Sequence, residues 1–298
     1  MSSQPPAWFD AALAKKPEER EVVVDGTVIR YLSWGDKDRS KPGLVFVHGG
    51  AAHAHWWSFI APLFTSEWHA VALHLSGMGD SGRRDSYSHD VWAREVMAVA
   101  DDARFPGPPV VVGHSLGGMV TIQTAATFGD RLAGAVIVDA PVRRPSPESE
   151  EGRSGHAFKA PGIYDTKDQA ISHFALVPRQ PNENDYIIDY IAGTSIRETR
   201  DGWTWKFDPN IFEGTLVALR DQLNSVGCRV ALFTGERSVV VPPDTAKYMY
   251  DLMGRISPVV EIPEAHHHLM LDQPLAFVAA LRTLLADWHH STAFERTL

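Results

Sequence analysis

The sequence predicts an α/β fold in which a mostly parallel sheet is covered by helices on both faces. Three observations support this prediction. Short continuous apolar runs, such as 43–47 and 110–112, are typical of strands buried on both faces of a sheet. Stretches with apolar residues at helical spacing separate these runs. The alternation stops at Pro141 and resumes at Val230, so we expect the sheet to be built from both ends of the chain.

Local patterns predict the elements of the first half. Two strand-like runs within 21–32 are joined by Asp25 and Gly26, which is a strong hairpin signal. Strand and helix patterns then alternate. They are a strand at 43–47, a helical tract with Trp57, Ile60 and Phe64, a strand at 70–75, a helix with Trp92, Val96 and Val99, the strand at 110–112, a helix at 119–128 and a strand at 132–139.

The pattern changes after Pro141. Residues 143–154 are polar and rich in Pro, Ser and Glu, which predicts an exposed loop, and 157–212 are helical and aromatic with no clear strand. Alternation resumes with a strand at 230–235, a helix near 244–253, a strand at 259–262 and a final helix with Leu281 and Trp288. We therefore predict a core domain of residues 1–142 and 214–298, with a helical insertion at 143–213.

Composition and charge restrict the function. The 298 residues are 44% hydrophobic and 22% charged, and the net charge of −9 disfavours nucleic-acid and anionic-membrane partners. The single cysteine, Cys228, excludes an internal disulfide. The N-terminus lacks a signal-peptide pattern, and no apolar stretch is long enough to span a membrane. We expect a cytoplasmic monomer or homodimer that acts on a small molecule.

The most informative stretch is Val110-Val111-Val112-Gly113-His114-Ser115-Leu116-Gly117-Gly118. It predicts a strand, a sharp turn with a serine at the apex, and a helix. In such a turn a Cβ atom at Gly113 or Gly117 would collide with adjacent backbone, and the helix directs its N–H groups toward the serine. Gly-x-Ser-x-Gly alone is a weak signal, but the flanking strand and helix patterns indicate that Ser115 is a nucleophile.

Together with three further features, this stretch resembles the α/β-hydrolase family. The further features are His48-Gly49-Gly50 after a predicted strand, the glycine-rich turn 77–82 after the next strand, and a late histidine before Pro274. The resemblance covers nearly the whole chain outside the insertion. It implies an eight-stranded sheet, a helical cap at the insertion and hydrolytic chemistry, but it implies no particular substrate.

A nucleophilic serine needs a base within hydrogen-bonding reach. The candidates are His266, His267 and His268, which follow the last predicted strand. In the α/β-hydrolase family the catalytic histidine precedes a helix-starting proline by about seven positions. The resemblance therefore implies His267, because Pro274 lies seven residues after it.

The base in turn needs a carboxylate that fixes its tautomer. The resemblance places this carboxylate three residues after Gly235, where the chain has Ser238, which carries no charge. Two replacements remain open. Asp139 ends a strand at the sheet edge where the serine is expected, whereas Glu236 lies on the usual loop. We prefer Asp139 and keep Glu236 as the alternative.

The oxyanion hole of such an enzyme consists of two backbone N–H groups, which we assign to Leu116 and Gly50. We expect substrate-binding side chains close to these groups, with packing in the core as the alternative role for each. The candidates are His114 beside the nucleophile, His53 and Trp56 after the oxyanion loop, and Trp203 and Trp205 in the insertion.

His53 and His55 also suggest a metal site. Two histidines without a nearby third ligand are a weak signal, however, so we expect neither a metal nor a cofactor.

These features predict a cofactor-independent serine hydrolase that cleaves a carboxylic ester or lactone of a largely apolar small molecule. Ser115 attacks the carbonyl, His267 accepts the serine proton, and water hydrolyses the acyl-enzyme. Two alternatives remain. The same triad could hydrolyse a carbon–carbon bond, or the fold could serve as a ligand receptor with little turnover, which the missing acid at Ser238 favours.

Overall fold

The computed structural model describes residues 4–35, 37–38, 40–144, 161–213 and 219–295, with side chains up to residue 291. Its strands are β1 (Glu18–Val24), β2 (Thr27–Trp34), β3 (Gly43–Val47), β4 (His69–Leu73), β5 (Val110–His114), β6 (Gly134–Val138), β7 (Ile196–Thr199), β8 (Gly202–Trp205), β9 (Val230–Gly235) and β10 (Val259–Ile262). Its α-helices are α1 (Ala7–Ala14), α2 (His89–Ala103), α3 (Leu116–Phe128), α4 (Lys167–Ser172), α5 (Asp185–Thr194), α6 (Arg220–Asn224), α7 (Pro243–Leu252), α8 (Leu269–Asp272) and α9 (Pro274–Glu295).

Eight of the strands form one sheet in the order β1-β2-β4-β3-β5-β6-β9-β10. The pairs β1–β2 and β2–β4 are antiparallel, and all other neighbours in this sheet are parallel. The predicted mostly parallel eight-stranded sheet is thus confirmed. Parallel strands end at the same edge, so the loops after β3, β5, β6, β9 and β10 all emerge on one side of the sheet.

The central strands are continuous apolar runs because both faces of the sheet are covered. Every residue of β3, β4, β5 and β6 is buried. On one face, Phe46 of β3 stacks on Trp57, which in turn packs against Phe277 of α9. On the other face, Val111 of β5 belongs to a cluster that includes residues of α2 and α3. Burial of these two apolar layers stabilises the sheet.

The region after β3 differs from its prediction. The helical tract expected around Trp57, Ile60 and Phe64 consists of two short 3-10 helices, Ala54–Trp57 and Ala61–Phe64. Pro62 lies in the first turn of the second helix and has no N–H to donate. A continuous α-helix through this position would lose a hydrogen bond, so the chain forms two separate turns instead.

The insertion contains a feature that the sequence prediction missed. Besides α4 and α5, its described part has a two-stranded antiparallel sheet, β7–β8, where no clear strand was expected. Asp201-Gly202, a dipeptide typical of hairpin turns, was the available signal. From residue 145 on, the predicted polar loop 143–154 lies outside the described residues. The proposed domain boundaries remain a prediction.

Backbone hydrogen bonds join the insertion to the loop after β4. Gly79 donates its N–H to the carbonyl of Lys206 at 2.7 Å, and Asp208 donates to the carbonyl of Gly77 at 2.7 Å. Lys206 also forms an ion pair with Asp80, with 2.8 Å between nitrogen and oxygen. These bonds hold the end of the insertion against the same sheet edge. Across the described residues, none of the helices has the length and apolarity required to cross a membrane.

Candidate active site

Ser115 occupies a sharp turn between β5 and α3. Its backbone has φ 54° and ψ −120°, a combination that is strained for a residue with a side chain. A Cβ atom at Gly113 would collide with the carbonyl of Gly117 and the hydroxyl of Thr121. The glycine is therefore required for the reason that the sequence suggested, namely the close approach of β5 to the first turn of α3.

The loop after β3 lies against this turn. A Cβ atom at Gly117 would collide with the carbonyls of Val47 and His48, and one at Gly49 would lie 3.3 Å from Cβ of Ser115. A side chain at Gly50 would lie 3.0 Å from the ring of Phe212. The loop with Gly49 and Gly50 thus lies against the serine turn, in a place with little space for a side chain at either glycine.

The two backbone N–H groups expected to stabilise negative charge beside Ser115 are those of Leu116 and Gly50. Leu116 is the first residue of α3, so its N–H has no acceptor within the helix. The loop that carries Gly50 is fixed by His48, which donates from Nδ1 to the carbonyl of Gly49 at 2.8 Å and accepts from the N–H of Leu75 at 3.1 Å. Burial lowers the pKa of His48 to about 4. The ring is therefore neutral near pH 7, as this pair of bonds requires.

His267 lies in the loop between β10 and α8, seven residues before Pro274, the first residue of α9. Its Nε2 lies 3.0 Å from Oγ of Ser115, within hydrogen-bonding distance. The ring is buried, with 2% of its surface exposed. A hydroxyl whose hydrogen can pass to a neutral imidazole is able to act as a nucleophile.

Asp139 contacts the other side of the same ring. His267 donates from Nδ1 to Oδ2 of Asp139 at 2.7 Å. The carboxylate is completely buried and accepts two further hydrogen bonds, from the hydroxyl of Ser238 at 2.6 Å and from the N–H of Gly235 at 3.2 Å. Ser238 occupies the position where the resemblance implied the acid, and here it supports the acid from the loop after β9.

Glu236, the alternative acid, lies outside this group. Its carboxylate accepts a hydrogen bond from the N–H of Glu264 at 2.7 Å in an exposed part of the surface. The side chain thus fastens the turn after β10. The structure brings Ser115, His267 and Asp139 together and leaves Glu236 apart.

Burial acts in opposite directions on the two ionisable groups. It lowers the pKa of His267 to about 4 and raises the pKa of Asp139 to about 7, because each charged form loses hydration. The hydrogen bonds from Ser238 and Gly235 stabilise the carboxylate and lower its pKa against this trend. His267 is therefore neutral near pH 7, which is the state that can accept a proton.

Gln180 and Asp272 hold the loop that carries His267. Asp272 accepts from the N–H of His266 at 2.8 Å and from the side-chain amide of Gln180 at 2.8 Å. Gln180 accepts in turn from the N–H of His268 at 3.1 Å. Sequence analysis missed Gln180, and no local signal could have found it, because the contacts join positions 88 or more residues apart.

A cavity of about 470 Å³ lies beside these residues, between the sheet edge and the insertion. Gly50 and His268 form the side near Ser115 and His267. Trp56 and Trp205, two of the expected substrate-binding residues, lie in its lining. The described lining consists of Gly50, Ala51, Trp56, Pro161, Gly162, Tyr164, His173, Phe174, Ala175, Leu176, Val177, Ser195, Trp205, Phe207 and His268.

The other three expected substrate-binding residues lie outside the described lining of this cavity. His53 is buried and lies 2.8 Å from the hydroxyl of Ser195, and His114 is buried next to His267. Trp203 is only partly buried, 5.9 Å from the amino group of Lys167. These residues are close in sequence to Ser115 or to residues that line the cavity, but their side chains do not belong to its described lining.

His55 has more potential metal ligands nearby than the sequence suggested. Its side chain groups with His74 and Asp80, and their ligand atoms lie within 4.8 Å of one another. However, Nδ1 of His74 accepts from the N–H groups of Ala54 and Asp80, so a metal on Nε2 would force a hydrogen onto Nδ1 against these donors. Lys206 already pairs with Asp80. This arrangement does not favour a metal.

The sequence also matches a model of the alpha/beta hydrolase family over residues 44–281, which is more than half of the chain. The chain belongs to the α/β-hydrolase family. The match includes the serine turn, the histidine loop and the insertion, and the sheet order agrees with it. Two of the curated relatives of this α/β hydrolase are named as esterases.

Three comparisons illustrate the relationship. The hydrolase is 25% identical over 267 residues to esterase Rv0045c of Mycobacterium tuberculosis, covering 88% of each chain. It is 24% identical to a pimeloyl-(acyl-carrier protein) methyl ester esterase of Chromobacterium violaceum, covering 80% of this chain and 92% of that enzyme. The crystal structure of E-2-(acetamidomethylene)succinate hydrolase superposes with a TM-score of 0.78 at 19% identity, covering 91% and 99% of the two chains.

Proposed function

We propose that this α/β hydrolase is a serine hydrolase that cleaves a carboxylic ester or lactone of a largely apolar small molecule without a cofactor. The observation that carries the proposal is the position of the His267 ring. It lies 3.0 Å from the hydroxyl of Ser115 and 2.7 Å from the carboxylate of Asp139, on opposite sides. This is the geometry that activates a serine nucleophile.

The proposed reaction uses these residues in sequence. Ser115 attacks the carbonyl carbon while its proton passes to Nε2 of His267, and Asp139 stabilises the resulting imidazolium. The N–H groups of Leu116 and Gly50 stabilise the oxyanion. His267 then donates the proton to the leaving alkoxide, and the acyl-enzyme forms. A water molecule, deprotonated by His267, releases the acid and regenerates Ser115.

The cavity supports an uncharged substrate. None of its described lining residues is Asp, Glu, Lys or Arg, and several are aromatic or aliphatic. A volume of about 470 Å³ lies in the range of small-molecule sites. The two relatives named esterases support ester cleavage rather than another hydrolytic reaction. We also propose that residues 143–213 act as a cap over this cavity.

The receptor alternative rested on the missing acid at position 238. Because Ser238 donates a hydrogen bond to Asp139, that position no longer argues against turnover. The carbon–carbon bond alternative would use the same three residues, so it is a question of substrate and belongs in the test.

The test is hydrolysis of a panel of p-nitrophenyl esters and aromatic lactones by the wild type and by Ser115→Ala. We expect ester turnover by the wild type and none above background by the variant, with the preferred acyl length reporting the size of the cavity. Labelling by a fluorophosphonate probe gives a second readout of an activated Ser115. If neither esters nor lactones react but the probe labels Ser115, the proposed substrate class is wrong and carbon–carbon substrates should be tried. If the probe also fails, the receptor alternative becomes the better explanation.

A further inference from the structure

Three buried histidines meet beside Ser115, although the proposed reaction needs one. The exposed fractions of His114, His267 and His268 are 1%, 2% and 4%. One nitrogen from each ring lies within 4.8 Å of one nitrogen from each of the others. The ring centroids are 4.7 Å apart for His114 and His267, 5.2 Å for His114 and His268, and 4.7 Å for His267 and His268. We call these three residues the histidine cluster.

The tautomer of His114 follows from its partner. Its Nε2 lies 2.9 Å from the carbonyl oxygen of His267, which can only accept, so Nε2 carries the hydrogen. Nδ1 then has a free lone pair. That atom is buried and has no hydrogen-bond partner among the described residues. A buried acceptor without a partner is unfavourable, so the site gains if a ligand binds there.

The other two rings also have lone pairs to offer. Nδ1 of His267 donates to Asp139, so Nε2 is its free acceptor, facing Ser115. Neither ring nitrogen of His268 forms a hydrogen bond of ordinary geometry in the described structure, although the backbone carbonyl of Val177 faces the ring. His268 also lines the cavity, so an ion entering the cavity can reach the cluster.

We propose that the histidine cluster binds a divalent transition-metal ion, with Zn²⁺ as the type case, and that this ion inhibits the enzyme. Three histidine nitrogens with one open position form a common zinc arrangement. Nitrogens around a tetrahedral zinc ion lie about 3.4 Å apart, given bonds of about 2.1 Å. The nitrogens of the cluster, which lie within 4.8 Å of one another, therefore have to approach by about 1 Å to bind the ion.

The outer contacts of the cluster match those of metal-binding histidines. Such histidines usually donate their second N–H to a carboxylate or a backbone carbonyl. His267 donates to Asp139, and His114 donates to the backbone carbonyl of His267. The buried carboxylate of Asp139 also offsets part of the charge of a divalent ion. The His55–His74–Asp80 group, in contrast, has donors where such acceptors would be needed.

Inhibition follows from the use of one lone pair by two partners. A metal ion bound to Nε2 of His267 occupies the electron pair that must accept the Ser115 proton. Serine activation and metal binding therefore exclude each other. Imidazole ligands favour Zn²⁺, Cu²⁺, Ni²⁺ and Co²⁺ over Mg²⁺ and Ca²⁺, so inhibition should show the same order. The inhibitory effect rests on the proposed function, whereas the binding site rests on the cluster alone.

The experiment measures binding separately from activity. Chelator-treated protein is titrated with Co²⁺, with binding followed by absorption spectroscopy, and with Zn²⁺, with binding followed by calorimetry. We expect one ion per chain, visible bands typical of four-coordinate Co²⁺, and no response to Mg²⁺. His114→Asn should weaken binding by more than about 100-fold, since even loss of an outer partner costs about 10- to 100-fold. His268→Gln should do the same, which guards against one variant that fails to fold.

Two further variants locate the site. Ser115→Ala should keep the Zn²⁺ affinity, so binding can be measured where there is no turnover. His55→Asn, which changes the His55–His74–Asp80 group instead, is the matched control. If His55→Asn weakens Zn²⁺ binding and His114→Asn does not, the ion binds elsewhere and the proposal is wrong. An increase of wild-type ester hydrolysis on adding Zn²⁺ would also overturn it. If Co²⁺ binds to the cluster but no ester is cleaved, the proposed function fails while the metal site stands.

Discussion

The hydroxyl of Ser238 donates a hydrogen bond of 2.6 Å to Oδ2 of Asp139, the same oxygen that lies 2.7 Å from Nδ1 of His267. The residue at the usual position of the acid thus supports an acid that has moved to the end of β6. Oγ of Ser238 also accepts from the N–H groups of Val240 and Val241 at 3.1 and 3.2 Å, which fixes its orientation. The following predictions test this arrangement and the site around it.

Replacing the acid should abolish most activity without unfolding the protein. Asp139→Asn should lower kcat by about 1,000- to 10,000-fold, because the amide no longer holds His267 in the required tautomer or stabilises its charged form. Ester hydrolysis and circular dichroism measure the two properties. Glu236→Gln is the matched control and should change kcat little. The opposite outcome, with a large loss in Glu236→Gln alone, would move the acid to the loop after β9.

The acid should be transferable between the two positions. Ser238→Asp in the Asp139→Asn background places a carboxylate where the hydroxyl of Ser238 now contacts Asp139. We expect kcat to recover by more than about tenfold relative to Asp139→Asn, a gain of about 1.4 kcal/mol in transition-state stabilisation. Ser238→Asn in the same background has a similar shape without the charge and should give no recovery. Equal rates in the two double variants would contradict the prediction.

Because the serine turn is tightly packed, an added methyl group there should lower the stability of the protein. In Gly117→Ala the new methyl group collides with the carbonyls of Val47 and His48. We expect the free energy of unfolding to fall by about 1–3 kcal/mol, the usual cost of forcing an extra group into a packed site. Urea denaturation measures this loss. Gly107→Ala, where a Cβ atom meets nothing within 4 Å, is the control and should change the free energy by less than about 0.5 kcal/mol.

The dependence of activity on pH should show the burial of His267. Only the neutral ring accepts the proton of Ser115, so kcat/KM falls as the pH drops through the pKa of His267 in the free enzyme. Burial lowers that pKa to about 4 from its ordinary value near 6.5. We therefore expect the acid limb to have its midpoint clearly below pH 6.5. A midpoint at or above 6.5 would mean that attraction to Asp139 outweighs the loss of hydration.

Two tryptophans near each other in sequence should have different effects on substrate use. Trp205 lines the cavity and Trp203 does not belong to its described lining. Trp205→Ala should lower kcat/KM for medium-chain esters by about tenfold or more, since loss of a large apolar contact costs about 1.5–3 kcal/mol. Trp203→Ala should have little effect. Steady-state kinetics over a series of acyl lengths, with melting temperatures for both variants, measure the difference.

Local patterns allowed most of the fold to be predicted. The sheet and the serine turn follow from runs of apolar residues and from glycines with a steric reason. The choice of His267 among three adjacent histidines came instead from the resemblance to the α/β-hydrolase family. The β7–β8 hairpin was missed although Asp201-Gly202 offered a signal. Its strands are only four residues long, and they lie in an aromatic region in which the other patterns are helical.

Contacts between distant parts of the chain could not be predicted in the same way. Ser238 and Asp139 are 99 residues apart, and His114 and His267 are 153 residues apart. The sequence shows a serine where an acid was expected, but it does not show that the serine faces the acid. The three rings of the histidine cluster likewise meet only because β5 and β10 end at the same edge of the sheet, where the loop with His267 and His268 begins.

The position of Asp139 has a consequence for how this enzyme can change over evolutionary time. It directly follows β6, where the chain turns toward the insertion. The hydrogen bonds to its carboxylate come from Gly235 at the end of β9, from Ser238 in the loop after β9, and from His267. Its own N–H is bound to the carbonyl of Phe233 in β9 at 2.8 Å. Descendants of this gene could therefore lengthen, shorten or exchange the neighbouring segment while the acid stays in register. Substrate preference and bond-breaking chemistry can then diversify independently.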